Sequence, residues 1–463
     1  MYFEQFYLGC LAHASYILAS EGEAVVVDPQ RDVDLYLNAA IEHGFTIRHI
    51  FETHLHADFV SGHKELSART GAQIYIGAEA AATFAHVPVC DGFELEFGNA
   101  SIRVLETPGH TLESICLLIT NEERSSSPWA VLTGDTLFIG DVGRPDLSPL
   151  HTPGELAGML YDSLHQKLLT LPDRVLVCPA HGAGSLCGRN MRAERSSTIG
   201  TERLTNYALQ LQSKQEFVTA LTRNLPARPE YFLKDADLNR SGAPALSELE
   251  PLRPISPSQL RSLISQGEIA VDVRSADEFA AGYVPESVNI ALSGQFASWA
   301  GTLLGLASRP VLIASSNDQL QEARIRLARV GIETLQGCLQ GGLAAWKDEG
   351  FELTTMSQIS VRELKSQLTL NSLQVLDVRR AAEWEAGHIE NAVWWPLDNF
   401  KVSPPEIDRS ECMAVHCKSG YRSMIACSFL RRAGFKNVVN VIEGFDAWQR
   451  EDLPIVHGTA LSV

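Results

Sequence analysis

The strongest constraint on the fold is that the chain repeats itself. Residues 270–292, AVDVRSADEFAAGYVPESVNIAL, align with residues 375–397, VLDVRRAAEWEAGHIENAVWWPL, and place Asp272 and Asp377, like Gly282 and Gly387, 105 positions apart. The match resumes at LQGGLAAW (339–346) and VIEGFDAW (441–448), where Gly342 and Gly444, like Trp346 and Trp448, are 102 apart, so the copies differ by a net three residues between the matched blocks. Two segments with one pattern of apolar and polar positions bury the same faces and fold alike. Each alternates short β-branched runs (IAVDV and PVLIAS; LQVLDV and CMAVHC) with amphipathic stretches (QLQEARIRLARVG; RSMIACSFLRRAG), the βαβ pattern of a parallel sheet. Two small α/β domains are therefore expected, at residues 254–352 and 357–463.

Upstream, Pro244, Pro251, Pro254 and Pro257 interrupt residues 238–259, the stretch that reads as a linker. Residues 1–245 are left as a third domain, in line with the ~150 residues per domain usual for a chain of this length. Its apolar runs EAVVVDP, IRHIFETH, AQIYIGA, SIRVLETPGH, WAVLTGD and RVLVCPAH read as strands, several ending in a polar cluster, and such strand ends are where active groups collect in α/β folds. Charge narrows the partners: 38 Lys and Arg against 56 Asp and Glu give a net charge of −18, a field that repels phosphate backbones and anionic membranes. Neither nucleic acid nor a membrane is expected as a partner, and no apolar run approaches the ~18 residues of a spanning helix. The N-terminus has no basic residue before Arg31, unlike a secretory or transit signal. The nine cysteines form no CxxC and no dense framework, the usage of reduced thiols, so a cytoplasmic protein is expected.

Residues 53–63 read THLHADFVSGH, with His54, His56 and Asp58 two residues apart at the end of an apolar run. Strand alternation would aim all three to one face. Three more strand ends carry His110 (TPGH), Asp135 (TGD) and His181 (PAHG). One such histidine would mean little, but four clusters together predict a metal site.

This set resembles the metallo-β-lactamase superfamily over roughly residues 1 to 240, which implies an αββα sandwich with metal on loops at one edge. The hydrolase branch of glyoxalase II type reads HxHxDH and holds two metals. Here Phe59 stands at the last histidine, and a benzene ring has no lone pair to donate. The second site keeps at most Asp58 and His181, below the three protein ligands of a catalytic zinc. The persulfide dioxygenase branch is the nearer resemblance, and it implies one Fe(2+) per chain held by His54, His110 and Asp135, the two-histidine, one-carboxylate set of non-haem iron oxygenases. It also implies near-metal roles for His56, Asp58 and His181, and, through GRPDL (143–147), for Arg144 and Asp146, which would orient ligands. His63 reads as a capping or surface residue, His13, His43, His49, His86, His151 and His165 as structural, and Cys10, Cys90, Cys116, Cys178 and Cys187 as small packing residues.

Residues 417–423, CKSGYRS, follow an apolar strand run and precede a helix. A loop of this kind turns its N–H groups inward at a helix N-terminus, which stabilises a thiolate and an attached anion. Cys417 is the expected nucleophile, with Lys418, Ser419, Gly420, Tyr421 and Ser423 forming the loop and Arg422 closing it. Residues 357–460 resemble the rhodanese family, whose cysteine carries sulfane sulfur as a persulfide; DVR, the E-W-x-x-GHI stretch and EGFDAW also match. Cysteine to arginine spans six residues, as in sulfurtransferases, where the related dual-specificity phosphatases use seven. In the first copy Ser315 stands opposite Cys417, with no glycine or arginine in the loop, and Cys338 lies too far along the chain to substitute. That copy is expected to be inactive, and Cys412 and Cys427 to be packing residues.

The domain order resembles bacterial fusions of a persulfide dioxygenase with an inactive and an active rhodanese. The fold class expected is thus an αββα sandwich followed by two rhodanese-like α/β domains with parallel sheets. The resemblance implies oxidation of a low-molecular-weight thiol persulfide by O2 to sulfite and thiol, coupled to sulfur transfer that makes or uses thiosulfate, in sulfide detoxification by a homo-oligomer. The rivals are a glyoxalase II-like thioester hydrolase fused to a sulfur carrier, and a non-catalytic persulfide sensor or scaffold.

Overall fold

The computed structural model describes all residues except 122, 124, 224, 226, 306, 371, 372 and 459–463. Two compact units emerge, Met1–Leu249 with Ala328–Gly331, and Glu250–Leu327 with Ile332–Val463.

The first unit holds two six-stranded sheets. One runs in chain order through β1 (Tyr2–Leu8), β2 (His13–Ser20), β3 (Glu23–Val27), β4 (Thr46–Glu52), β5 (Gln73–Gly77) and β6 (Val87–Val89). The other runs back from β12 (Ser197–Thr198) through β11 (Leu176–Pro179), β10 (Ala130–Gly134), β9 (Ile115–Asn121) and β8 (Ala100–Glu106) to β7 (Glu94–Phe97). Alternation explains the layering. Tyr16, Leu18, Val25 and Val27 face the second sheet and pack with Ile102, Val104, Leu117 and Leu132. Their neighbours Ile17, Ala24 and Val26 point the other way, under Tyr36 and Leu66 of the helices Asp34–His43 and His63–Thr70. On the far side, Leu160 and Leu164 of the helix Pro153–Gln166 cover Val131 and Val177. Strands buried on both faces read as unbroken apolar runs, as EAVVV does. The result is the αββα sandwich.

β8, β10 and β11 run the same way, because β9 is antiparallel to β8 and β10 while β10 and β11 are parallel. Their carboxyl ends therefore share one edge. β4 ends there too: Thr53 O accepts from Ile115 N at 2.8 Å, and a Cβ on Gly134 would lie 2.6 Å from Thr53 Oγ1.

The second unit holds the two copies. One sheet is ordered β13 (Pro254–Ile255), β17 (Gly337–Leu339), β16 (Val311–Ile313), β14 (Ala270–Asp272), β15 (Val288–Asn289); the other β18 (Ser357–Ile359), β22 (Asn437–Val441), β21 (Cys412–His416), β19 (Gln374–Asp377), β20 (Val393–Trp394). Every pairing is parallel and the order is the same in both. The duplication reaches single bonds. Arg274 grips Asp272 at 2.6 Å and donates to Gly282 O at 2.8 Å, as Arg379 grips Asp377 and donates to Gly387 O at the same distances. The proline-rich stretch is more ordered than its prolines predict. The helix Tyr231–Ser241 enters it, and Pro257 opens the helix Pro257–Ser265 behind an Ser256 cap, since the first helical position needs no N–H. Among the described residues no helix is long and apolar enough to cross a membrane.

Candidate metal centre and sulfur loop

Strand alternation does not extend through the THLHAD run. β4 stops at Glu52, and the three motif residues fan out into three buried groups: His54 with His110 and Asp135, His56 with Asp28 and Glu52, and Asp58 with His181 and Cys187, the ligand atoms in each lying within 4.8 Å of one another. The expectation that His54, His56 and Asp58 share one face is corrected by that early strand end.

In the first group the tautomers follow from the hydrogen bonds. His110 Nδ1 meets the Arg144 carbonyl at 2.9 Å, which can only accept, so Nδ1 carries the proton and Nε2 its lone pair. Thr53 Oγ1 donates to Asp28 Oδ2 at 2.9 Å and so accepts from His54 Nδ1 at 3.0 Å. Both rings offer Nε2, at 3.8 Å (His54) and 3.4 Å (His110) from Asp135 Oδ2. These three atoms are buried with no hydrogen-bond partner among the described residues. Leaving each so would cost about 1–3 kcal/mol, and one cation satisfies all three. Burial lowers the pKa of both imidazoles. Burial would raise that of Asp135, but His181 outweighs it and holds the carboxyl well below its usual range. Two neutral imidazoles and one carboxylate are the protonation states a metal takes.

His181 lies between two carboxylates, Nδ1 at 2.7 Å from Asp135 Oδ1 and Nε2 at 2.9 Å from Asp58 Oδ2. Burial pulls its pKa down, yet the two carboxylates lift it well above the ordinary value. His56 turns its Nε2 to Asp28 (3.2 Å) and Glu52 (3.6 Å). The Phe59 ring sits among His13 and His56, with centroids at 4.0 and 4.3 Å. Arg144 pairs bidentately with Asp146 at 2.7 and 2.9 Å, and it is the Arg144 backbone that holds His110.

One sequence reading is corrected here, that of His63. Cys187 is buried, with its sulfur within 4.8 Å of ligand atoms of Asp58 and His181. His63 is neither exposed nor a cap: it is buried, with Nδ1 3.4 Å from Glu52. His13 is buried beside His56 and His181, and the neighbouring Ala14 N donates to Ala180 O at 2.7 Å. Gly143 was also missed as a site residue. A Cβ there would overlap Asp135 O and lie 2.8 Å from His110 Nδ1, and the glycine of GRPDL was its only signal.

In the second unit, β21 delivers Cys417, which is buried, to a loop ending at the helix Tyr421–Arg432. Gly420 N donates to Cys417 Sγ at 3.2 Å, and Ser423 Oγ lies 3.6 Å from it. Gly420 has φ of +96°, a conformation that favours glycine. Lys418 and Ser419 are exposed. Gly444 lets the next turn close, since a Cβ there would lie 2.7 Å from Lys418 O; Phe445 N donates to Cys417 O at 2.7 Å. Arg422 forms a bidentate pair with Glu383, both bonds 2.7 Å. Burial would raise the Glu383 pKa, but Arg422 holds it low. In the first copy the corresponding Glu278 instead accepts from Ser315 Oγ at 2.9 Å.

A family model described as the metallo-beta-lactamase superfamily matches residues 8–181, and one described as the rhodanese-like domain matches residues 256–349 and 360–451. The chain belongs to the metallo-beta-lactamase superfamily and carries two rhodanese-like domains behind that domain. Within the superfamily it falls with the persulfide dioxygenases. It is 32% identical over 211 residues to the mitochondrial persulfide dioxygenase ETHE1 of Bos taurus, covering 44% of this chain and 73% of that protein. A hydroxyacylglutathione hydrolase of Rhodospirillum rubrum is 36% identical over 162 residues, 35% of this chain and 57% of that protein. The solved metallo-beta-lactamase from Staphylococcus aureus subsp. aureus COL superposes with a TM-score of 0.66 at 30% identity, covering 73% of this chain and 98% of that one.

Proposed function

We propose that this chain oxidises a low-molecular-weight thiol persulfide with O2 at a single Fe(2+) and moves sulfane sulfur through Cys417. The balance is one persulfide, one O2 and one water giving one thiol and one sulfite with two protons. The observation that carries the reading is the set of three orphaned atoms, His54 Nε2, His110 Nε2 and Asp135 Oδ2. They are the residues that would hold the iron, which, when bound, would supply open positions where O2 and persulfide meet, the four electrons that reduce O2 coming from the outer sulfur as it becomes sulfite. Around them His181 fixes Asp135, the Arg144 carbonyl fixes His110, and Phe59 fills the place of a further ligand. At the second site, the Gly420 N–H and the helix N-terminus stabilise the Cys417 thiolate and its persulfide. Sulfite attacking the outer sulfur would release thiosulfate and return the thiolate. All nine cysteines are free, which suits a reducing, cytoplasmic setting and sulfide detoxification.

The rival thioester hydrolase has one structural footing, the group Asp58, His181 and Cys187. Metal content and substrate separate the two. Protein purified without oxygen should hold about one iron per chain and consume O2 with a glutathione, coenzyme A or cysteine persulfide. Two zinc ions per chain with thioester hydrolysis and no O2 uptake would overturn the proposal.

A further inference from the structure

The copy that carries Ser315 is fastened along the helix that begins at the sulfur loop. Tyr421, first residue of that helix and neighbour of Gly420, donates its hydroxyl hydrogen to the Ala291 carbonyl at 2.9 Å. Its ring fills the space over Gly294, where a Cβ would overlap three ring carbons. Further along, Ser428 Oγ accepts from Asn289 N at 3.0 Å, both residues buried. At the far end Arg432 donates to the carbonyls of Gly267 (2.7 Å), Glu286 (2.9 Å) and Glu268 (3.1 Å).

We propose that residues 289–294 of the first copy are a positioning wall for the sulfur loop. They hold Tyr421, and through it the adjoining Gly420 N–H that points at Cys417 Sγ, so the anion nest is formed before a substrate arrives. Donors already aimed need no reorganisation when charge develops, whereas a loop joined to a free helix end must be ordered at each turnover. Gly294 and Tyr421 are positioning residues. The inference rests on Cys417 being the sulfur carrier.

The test uses the full chain and compares alkylation of Cys417 by anionic iodoacetate and neutral iodoacetamide, with the modified residue identified by mass spectrometry. The ratio of the two rates reads the anion nest and needs no sulfur transfer. Gly294→Val and Tyr421→Ala should each lower that ratio about tenfold, Tyr421→Phe should lower it less, and Gly294→Val added to Tyr421→Ala should lower it no further, because both act through one contact. In thiosulfate-to-thiol transfer the same variants should lower kcat and raise the KM for thiosulfate, while O2 uptake stays at the parent level. Parental ratios in the single variants, or additive losses in the double, would refute the wall. Should Gly294→Val fail to fold, Tyr421→Phe, which deletes one hydroxyl, carries the test: a parental ratio in it refutes the proposal. A parent whose ratio is high but which transfers no sulfur refutes the carrier reading and leaves the wall standing.

Discussion

Asp135 serves two groups at once: Oδ2 faces the Nε2 atoms of His54 and His110, and Oδ1 holds His181 Nδ1 at 2.7 Å. Removing it deletes one candidate ligand and frees the imidazole between Asp135 and Asp58. Asp135→Ala should lose its iron and its O2 uptake. Cys417 lies in the other unit, so it should alkylate at the parent rate. Iron retained at about one per chain in this variant, measured by elemental analysis, would remove Asp135 from the ligand set. Single residues were unevenly legible. His110, Asp135 and His181 sit at strand ends, where a local motif locates them, but the fate of His56 and Asp58 hung on β4 stopping at Glu52, just before Thr53 meets Ile115 and Gly134.

At the scale of elements, the duplicated sheets keep one order and one Asp–Arg grip while differing at the loop after the fourth strand of each. In the second copy Glu383 holds Arg422 over the Cys417 loop. In the first, Leu320 stands opposite Arg422 and Glu278 is taken by Ser315 Oγ, while Ser315 N donates to Gln319 Oε1 at 2.9 Å. A thiol placed there would lack the glycine, the arginine and the aimed N–H groups that form an anion nest. Ser315→Cys in a Cys417→Ser background should therefore show no thiosulfate-to-thiol transfer, and mass spectrometry after incubation with a sulfur donor should find no stable added sulfur on it. Transfer restored to even a tenth of the parent rate would mean that the fold alone makes the chemistry. The βαβ alternation was plain in the sequence, because period and amphipathic spacing are local.

For the whole molecule, placing two activities in one chain raises the effective concentration of one product near the other site, provided the geometry allows exchange. Sulfite formed at the metal centre is an acceptor for sulfur on Cys417, so the parent should release thiosulfate together with sulfite. Cys417→Ser should shift products toward sulfite with O2 uptake little changed. If sulfur flows the other way, thiosulfate plus thiol should support O2 uptake by the parent and Cys417→Ser should lose it. A variant that yields as much thiosulfate as the parent, with free sulfite trapped, would defeat coupling in both directions.

The sequence by itself determined the duplicated α/β fold, the strand ends that carry His54, His110 and Asp135, and the six-residue CKSGYR loop. Each of these is written in neighbouring residues, as a period, a motif or a spacing. Tertiary structure alone decided that Cys187 joins Asp58 and His181, that His13 and His63 are buried beside the motif, and that Gly143 admits the backbone of Asp135 against His110. It also decided that Gly294 receives Tyr421 from the other copy. These depend on which distant segments approach, and one apolar run, histidine or glycine looks the same in sequence whether it meets a partner across the sheet edge or none. Close packing in three dimensions, where a single Cβ too many displaces a neighbour, is what gives such residues their roles.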